Sequence, residues 1–452
     1  MNHNPEGWHM HRPYHNRIEL KEVVSVISGY AFPGNEMGSS GSPIIKIKNI
    51  IPPMVDTTDV DRISEVFIAS IHKLEKFRLK HKDILVAMTG ATVGKIGRFP
   101  KTNEIFYLNQ RVARVDLRNP AQADIDYIYY VLSQAQYTDQ IFSLADGSAQ
   151  ANVSASQIGN IIIPLPPLRE QRRIAHILGT LDDKIENNRK TAKTLEAMAQ
   201  AIFQSWFVDF DPVRAKMAGE SPESICKRLK LTPEILDLFP DRLVDSELGE
   251  IPDGWVVGTL GNVAENPRRG IRPQQINTET PYIALEHMPR RCIYLSEWGT
   301  GEELESNKFM FRKNEILFGK LRPYFHKVGV APVNGVCSTD IVVIAPQSAY
   351  WLSFVLGHTS SDAFVVYTDS DSTGTKMPRT SWNRMAHYEI ALPPESIAKV
   401  FDELVVPTVH QMVANVHESR TLADLRDTLL PKLISGDIRV PEAEHLIENI
   451  EG

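Results

Sequence analysis

From Leu168 to Phe207 the chain carries no proline and a single glycine, Gly179. Within that stretch Ile174, Leu178, Leu181, Ile185, Asn188, Ala192, Leu195, Ala199, Ile202 and Trp206 recur at alternating steps of four and three, and nine of the ten are apolar. Arg172, Arg173, Asp182, Asp183, Lys184, Glu186, Arg189, Lys190, Lys193 and Glu196 lie between them. An apolar stripe of this period in a charged surround predicts a long helix with a heptad seam. An offset of 227 gives a second seam, Phe401, Val405, Thr408, Met412, Asn415, Ser419, Leu422, Arg426, Leu429 and Leu433, six of them apolar. Asn188 coincides with Asn415. A polar residue inside a seam costs stability unless it is partnered, and it fixes register, so the two helices are expected to pair with Asn188 bonded to Asn415. The alternative is that each helix packs only on its own globular part. Pro407 is expected to break or kink the second helix, leaving Leu181–Phe207 and Thr408–Ile434 uninterrupted. At ~1.5 Å per residue such a 27-residue stretch spans about 40 Å, near the ~34–36 Å of one duplex turn.

Outside the seams the pattern shortens to β-branched and aromatic runs between Gly, Pro and Asn turns, such as Pro43–Ile47 and Asp340–Ile344. Helical stretches follow at Asp126–Ser133 and Tyr350–Leu356, then strand-like runs at Ile161–Ile163 and Tyr388–Ile390, each closed by a Pro-Pro break. These segments repeat. Lys82-Asp83-Ile84-Leu85 with Lys95-Ile96-Gly97 is echoed by Asn314-Glu315-Ile316-Leu317 with Lys327-Val328-Gly329 at an offset of 232. Ile128, Val131 and Leu132 are echoed by Leu352, Val355 and Leu356. Gly147-Ser148 is echoed by Gly374-Thr375, and Leu165-Pro166-Pro167 by Leu392-Pro393-Pro394. Several matches in one order make the chain a tandem duplication of a unit of about 200 residues. The fold class is therefore α+β: two tandem repeats, each a globular mixed α/β part followed by a long helix, with the two helices paired along their seams. A linker from Asp209 to Asp253 separates them and contains a helix-like Pro233–Phe239.

Composition adds exclusions. At 452 residues, 42% hydrophobic and 23% charged, the chain is neither disordered nor collagen-like. No run of about 18 apolar residues is present, so no membrane span is expected, and the first residues show no secretory pattern. Cys226, Cys292 and Cys337 are odd in number and lack metal-ligand spacing, which fits free thiols and a cytoplasmic location. The net charge of −7 is unevenly spread. Lys73 to Arg114 holds ten bases against three acids, and Ser306 to Val330 six against one. Two equivalent basic regions in an acidic chain fit phosphate-backbone contact at two places. Arg78, Lys80, Thr92, Lys95, Arg98, Gln110 and Arg111 in the first, and Lys308, Lys320, Arg322, Tyr324 and Lys327 in the second, are the candidate DNA-binding residues, because Arg and Gln make bidentate base-edge contacts and Lys meets phosphate.

Catalytic chemistry finds little footing. Gly90-Ala91-Thr92-Val93-Gly94-Lys95-Ile96 is one residue short of a phosphate loop and has Ile96 where Mg²⁺ coordination wants Ser or Thr. No GxGxxG follows a strand, and the Pro-Leu-Pro-Pro and Ala-Leu-Pro-Pro tetrapeptides lack the polar residue that base-methylating enzymes place before Pro-Pro. His9 and His11 are the one close histidine group and read as surface rather than metal site. No catalytic residue, metal or cofactor is assigned to this chain.

Pro166-Pro167-Leu168-Arg169-Glu170-Gln171, Ile174-Ala175-His176-Ile177-Leu178, Leu181-Asp182-Asp183-Lys184-Ile185-Glu186 and Ser205-Trp206-Phe207-Val208-Asp209-Phe210-Asp211-Pro212-Val213 together resemble the central conserved region of the specificity subunit of type I restriction–modification enzymes. Leu425-Arg426-Asp427-Thr428-Leu429-Leu430-Pro431-Lys432-Leu433-Ile434-Ser435-Gly436-Asp437 resembles that family's distal conserved region, and Glu250-Ile251-Pro252-Asp253-Gly254-Trp255 the usual start of its second recognition domain. The resemblance implies target recognition domains at 1–165 and 253–392, conserved helices at 166–210 and 393–437, a linker at 211–252 and a tail at 438–452. Each recognition domain would read half of a split target on double-stranded DNA, with the two helices forming an antiparallel coiled coil as the ruler between halves. Two methyltransferase (modification) subunits and restriction/translocase subunits would be partners, binding S-adenosylmethionine, ATP and Mg²⁺ themselves. Phe207 and Phe210 would be partner-docking anchors, while Trp206, on the seam, would pack at the coil end. The first unit departs from the pattern, opening with Pro5-Glu6-Gly7-Trp8 in place of Ile-Pro-x-Gly-Trp, which leaves its first strand open. The competing readings are a self-sufficient nucleotide-driven nuclease using Gly90–Lys95 and a repeat scaffold that binds protein without reading DNA.

Overall fold

The computed structural model describes residues 16–145, 151–369 and 378–451, with side chains to His445. Pro5–Trp8, His9, His11, Gly147-Ser148 and Gly374-Thr375 lie outside the described residues. The chain divides into two compact units, 1–183 with 423–452, and 184–422.

In the first unit the strand Ile84–Ala87 is apolar at every position because it is buried on both faces: Ile84 and Val86 feed one core, Leu85 and Ala87 another. Around it the strands run Val24–Ser28, Val112–Leu117, Ile84–Ala87, Ile96–Arg98, extended by Met54–Val55 and Ile50–Ile51. The first described strand, Asn16–Glu19, pairs antiparallel with Ile162–Leu165, which supplies the strand that the sequence leaves open. Helix Ile125–Ser133 starts where the Asp124 carboxylate accepts the Asp126 and Tyr127 amides. Its buried Tyr127, Ile128 and Val131 share a core with Ile174 and Leu178 of the first long helix and with Leu429, Leu433 and Ile434 of the second.

The second unit repeats the order: Ala264–Glu265, Ile341–Pro346, Ile316–Gly319, Val328–Val330. The register also repeats, with Ile84 opposite Arg98 and Ile316 opposite Val330, an offset of 232 on both strands. Val256–Thr259 pairs with Glu389–Leu392 as Asn16–Glu19 does with Ile162–Leu165. The echoed motifs are structural. Lys82 and Asn314 both have φ 70°, and the carboxylate after each accepts a backbone amide three residues back, Asp83 from Lys80 and Glu315 from Arg312, both at 2.8 Å. Gly97 and Gly329 are small because a Cβ would lie 2.8 Å from the Met54 oxygen in one case and 2.6 Å from Leu295 Cδ2 in the other.

Likeness ends at the second sheet. Both units pair two strands in parallel, Ser42–Ile45 with Tyr107–Leu108 and Tyr282–Ile283 with Gly335–Cys337. The third strand then joins opposite members: Asp61–Ile63 pairs with Ser42–Ile45, whereas Lys308–Phe311 pairs with Gly335–Cys337.

The long helices are Leu168–Phe207 and Glu395–Ser435. Their pairing is antiparallel within each unit. In the second unit Lys184 meets Glu418 at 3.3 Å, while Trp206 meets Phe401 at 5.7 Å between ring centroids, so numbers rise on one helix as they fall on the other. In the first, Asp182 meets Arg426 at 2.7 Å. No seam position is exposed on either helix. Three expectations are corrected. Pro407 does not end the second helix; it is exposed, so the carbonyl it strands faces water, and buried Val405 and Val409 flank it. The helices are 40 and 41 residues, about 60 Å each at ~1.5 Å per residue, so the match of a 27-residue stretch to one duplex turn falls away. Nor does Asn188 bond Asn415. The Asn188 amide donates to Glu418 at 2.7 Å and the Asn415 oxygen accepts from Gln411 at 2.8 Å, because a carboxylate one turn along is the stronger acceptor.

The linker is three short helices, Asp211–Met217, Pro222–Leu229 and Pro233–Asp237, and a hairpin of Leu243–Ser246 with Gly249–Pro252. Ser221 and Thr232 cap the second and third helices, each with proline at the first helical turn.

Candidate nucleic-acid interface

The basic regions surround one hairpin in each unit, the turn between Ile84–Ala87 and Ile96–Arg98 and that between Ile316–Gly319 and Val328–Val330. Gly90–Lys95 therefore joins two antiparallel strands. A phosphate loop joins a strand to a helix N-terminus, so the nucleotide reading loses its structural context.

Side chain by side chain, the structure separates surface cations from built-in ones. Lys80, Lys95, Gln110 and Arg111 are exposed, and Thr92 is half-buried with its hydroxyl donating to the Thr89 carbonyl. Arg78 is half-buried and pairs with Glu75 at 3.2 Å. In the second unit Tyr324 is 50% exposed, and Lys320 and Arg322 are half-buried beside it.

Three candidates are drawn inward and are engaged within the chain itself. Arg98 pairs with Asp126 at 2.8 Å and lies 4.0 Å above the Tyr129 ring. Lys308 is buried, donates to the Ser306 carbonyl and hydroxyl, and is held below the usual lysine range by that burial. The Lys327 ammonium donates to the Leu285 carbonyl, and its pKa is lowered by burial and then by nearby Arg290. Counting charges along the chain treats every lysine as wet; packing decides otherwise.

Phe207 and Phe210, the partner-docking candidates, lie low in the fold. Both are buried in the second unit's core, Phe207 against Phe354 at 4.9 Å and Phe401 at 4.7 Å, Phe210 against Trp255 at 5.6 Å. Both also line a cavity of about 680 Å³ in that unit. Trp206 is buried in the same core, against Phe239 and Phe401.

The sequence reading missed several groups. Arg290 and Arg291 are exposed beside the second hairpin, with the Arg290 guanidinium 4.0 Å from the Phe325 ring. In the first unit Tyr130 donates to Asp182 at 2.7 Å, and Asp182 also holds Arg426, a cation placed on a heptad seam. This trio lines a cleft of about 930 Å³ between the first hairpin turn and the helix ends. The one advance signal was Arg426 standing at a seam position, since such a cation needs a buried carboxylate opposite. Gln171, buried, ties the Pro-Pro-Leu-Arg-Glu-Gln segment to its domain through the Asp124 amide and the Gln122 and Pro166 carbonyls. Among the described residues no group of three or more His, Cys, Asp or Glu is placed to hold a metal ion, and no helix is long and apolar enough to cross a membrane.

Residues 16–197 match the family described as the type I restriction modification DNA specificity domain. The chain is 26% identical over 330 residues to the type I restriction enzyme MjaIX specificity subunit of Methanocaldococcus jannaschii, covering 70% of each chain. It is 24% identical over 362 residues to the HindI specificity subunit of Haemophilus influenzae, covering 69% of this chain and 77% of that one. The crystal structure of the type I restriction–modification S subunit from M. genitalium superposes over 94% of this chain and 97% of its own with a TM-score of 0.55 at 15% identity, a likeness of fold.

Proposed function

The chain belongs to the specificity-subunit family of type I restriction–modification enzymes, and from that premise we propose that it reads a bipartite target on double-stranded DNA, one half per unit, without an active site of its own. The observation that carries this is the duplication: strand order and register recur at one offset, and each copy surrounds the same hairpin with cations. Two copies of one reader on one chain fit two half-sites. The recognition domains are taken as 1–165 and 253–392, joined by the paired helices 166–210 and 393–437.

Lys80, Lys95 and Arg111 on the first unit, and Lys320 and Arg322 on the second, meet phosphate or base edges. Gln110, Thr92 and Tyr324 supply uncharged contacts. The chain works in the cytoplasm beside two methyltransferase subunits and the restriction/translocase subunits, which carry S-adenosylmethionine, ATP and Mg²⁺; it recruits them through its helical parts.

The test is titration of the full chain, alone and with its modification subunits, against duplex DNA over a range of salt. Phosphate contact predicts that log affinity falls linearly with log salt, with a footprint in two patches. Binding to protein partners alone, with no salt-dependent DNA affinity, would establish the scaffold alternative instead.

A further inference from the structure

The two hairpin turns share most of a backbone pattern and carry two different sets of side chains. Met88–Lys95 and Lys320–Lys327 are each eight residues long and lie at the same offset as the strands they join. Most of their backbone hydrogen bonds correspond, although Gly94 donates to Ala87 and Lys95 to Thr92 in the first turn where His326 donates to Pro323 in the second. Met88 donates to Arg111 and Lys320 to Asp340; Gly90 donates to Ala151 and Arg322 to Pro378; Ala87 donates to Lys95 and Gly319 to Lys327; Val93 donates to Gly90 and Phe325 to Arg322. The bridges Thr89 to Asn152 and Leu321 to Arg379 correspond as well. Gly90 and Gly94 have φ 72° and 83°, and at the same places Arg322 and His326 both have φ 52°.

Left-handed backbone suits glycine and is unfavourable for residues bearing a Cβ. The second turn nevertheless carries Arg and His there. The surroundings hold it. Buried His326 bonds the Ser360 carbonyl through Nε2 at 2.8 Å and faces Asp362 through Nδ1 at 3.3 Å. In the first turn the same place must be glycine, since a Cβ on Gly94 would sit 2.5 Å from the Thr138 oxygen.

Strain maintained by packing is characteristic of functional loops, and here it fixes what the turn presents. Tyr324 is 50% exposed at the tip, edge-on to Phe325 at 4.8 Å, and Phe325 is braced by the Arg290 guanidinium at 4.0 Å. Among the described residues the Arg322 Nε has no hydrogen-bond partner. Of the eight paired positions only Lys95 and Lys327 keep their residue, and Thr92 stands where Tyr324 does. A scaffold element would have no reason to hold its backbone while replacing nearly every side chain; a reading element would.

We propose that these paired turns are the base-reading elements of the two units, with Tyr324 and Arg322 determining the bases read by the second unit and Thr92 those read by the first, where Arg111 adjoins the base of the turn through the Met88 amide. This rests on the DNA-recognition reading and says which eight residues of each unit carry it. The aromatic ring and guanidinium of the second turn suit apolar and bidentate base-edge contacts, the hydroxyl of the first a smaller polar one.

The experiment expresses the full chain with its modification subunits and maps methylated motifs across the host genome for wild type, Tyr324→Thr, Arg322→Gly and Thr92→Tyr. Arg322→Gly installs the residue that the first turn already carries at that place, so the backbone tolerates it. Tyr324→Thr and Arg322→Gly are expected to relax or alter adjacent positions in one half of the motif by about ten- to a hundredfold in relative methylation, leaving the other half and the spacing intact. Thr92→Tyr is expected to act on the other half alone. An unchanged motif in all three variants, with methylation retained, overturns the proposal while leaving DNA recognition standing. A wild-type chain that directs no sequence-specific methylation overturns both.

Discussion

His358 gives a prediction in which the magnitude follows from geometry. It is 8% exposed, its Nε2 has no hydrogen-bond partner among the described residues, and its ring lies edge-to-face against Phe354 at 4.6 Å and Phe203 at 4.8 Å. Burial pushes its pKa down to about 3, from an ordinary value of 6.5. The native state thus binds this proton more weakly than the unfolded chain does. Stability is fully present above pH 6.5 and drains as pH falls below it, by about 1.4 kcal/mol per pH unit until the folded pKa is reached. Between pH 7 and pH 5 the loss is about 2 kcal/mol. Buried carboxyls in the same unit, Glu196 and Asp402, are raised by burial and run the opposite way, so the quantity to measure is the difference between wild type and His358→Leu. Five of the six tryptophans lie in the second unit, so the tryptophan fluorescence change in a urea titration follows that unit's unfolding. The gap between the proteins should shift by about 2 kcal/mol against wild type on going from pH 7 to pH 5. Parallel pH profiles, or an imidazole resonance titrating near its ordinary value, would refute the burial argument.

Gly94→Ala should destabilise the first unit by about 2 kcal/mol or more, since it adds a clash to a left-handed backbone, whereas Gly90→Ala, with nothing near its Cβ, should cost about 1 kcal/mol; thermal melts of the two variants distinguish them. Asp182 and Arg426 are both under a third exposed, so Asp182→Asn, Arg426→Met and the double variant should show a coupling of about 1–2 kcal/mol in urea titrations, and additive effects would dissolve the pair. Lys80→Glu and Lys95→Glu should each weaken DNA affinity and lower the salt slope by about one, while Lys308→Gln should leave the slope unchanged because that ammonium is inside the fold.

The long helices were the most legible part of the chain. Their seam is a matter of period, and a residue such as Ile174 or Leu429 has to be buried wherever the partner comes from. The duplication was equally legible, because matched strands keep matched residues at one offset. What failed was anything decided by a neighbour distant in sequence. The bond expected between Asn188 and Asn415 presumed that equivalent residues meet, yet an antiparallel pair at this register sets Asn188 against Glu418. Pro407 was weighed by its local cost, which the buried seam around it offsets. Arg98 reads as surface charge from its local sequence, and Asp126, 28 positions away, is what draws it inward. The hairpin turns were visible only as a poor phosphate loop on one side and an Arg-Pro-Tyr-Phe-His run on the other. Their identity is written in φ angles, which glycine announces and Arg322 and His326 do not.

Replacing residues 253–392 with the corresponding segment of a relative that recognises a different target, and mapping the methylated motif of the chimera, addresses the division of labour between the units head-on. One half of the motif should become the donor's while the other half stays as it was. A motif that changes in both halves, or in neither while methylation persists, would contradict the assignment of one half-site to each unit.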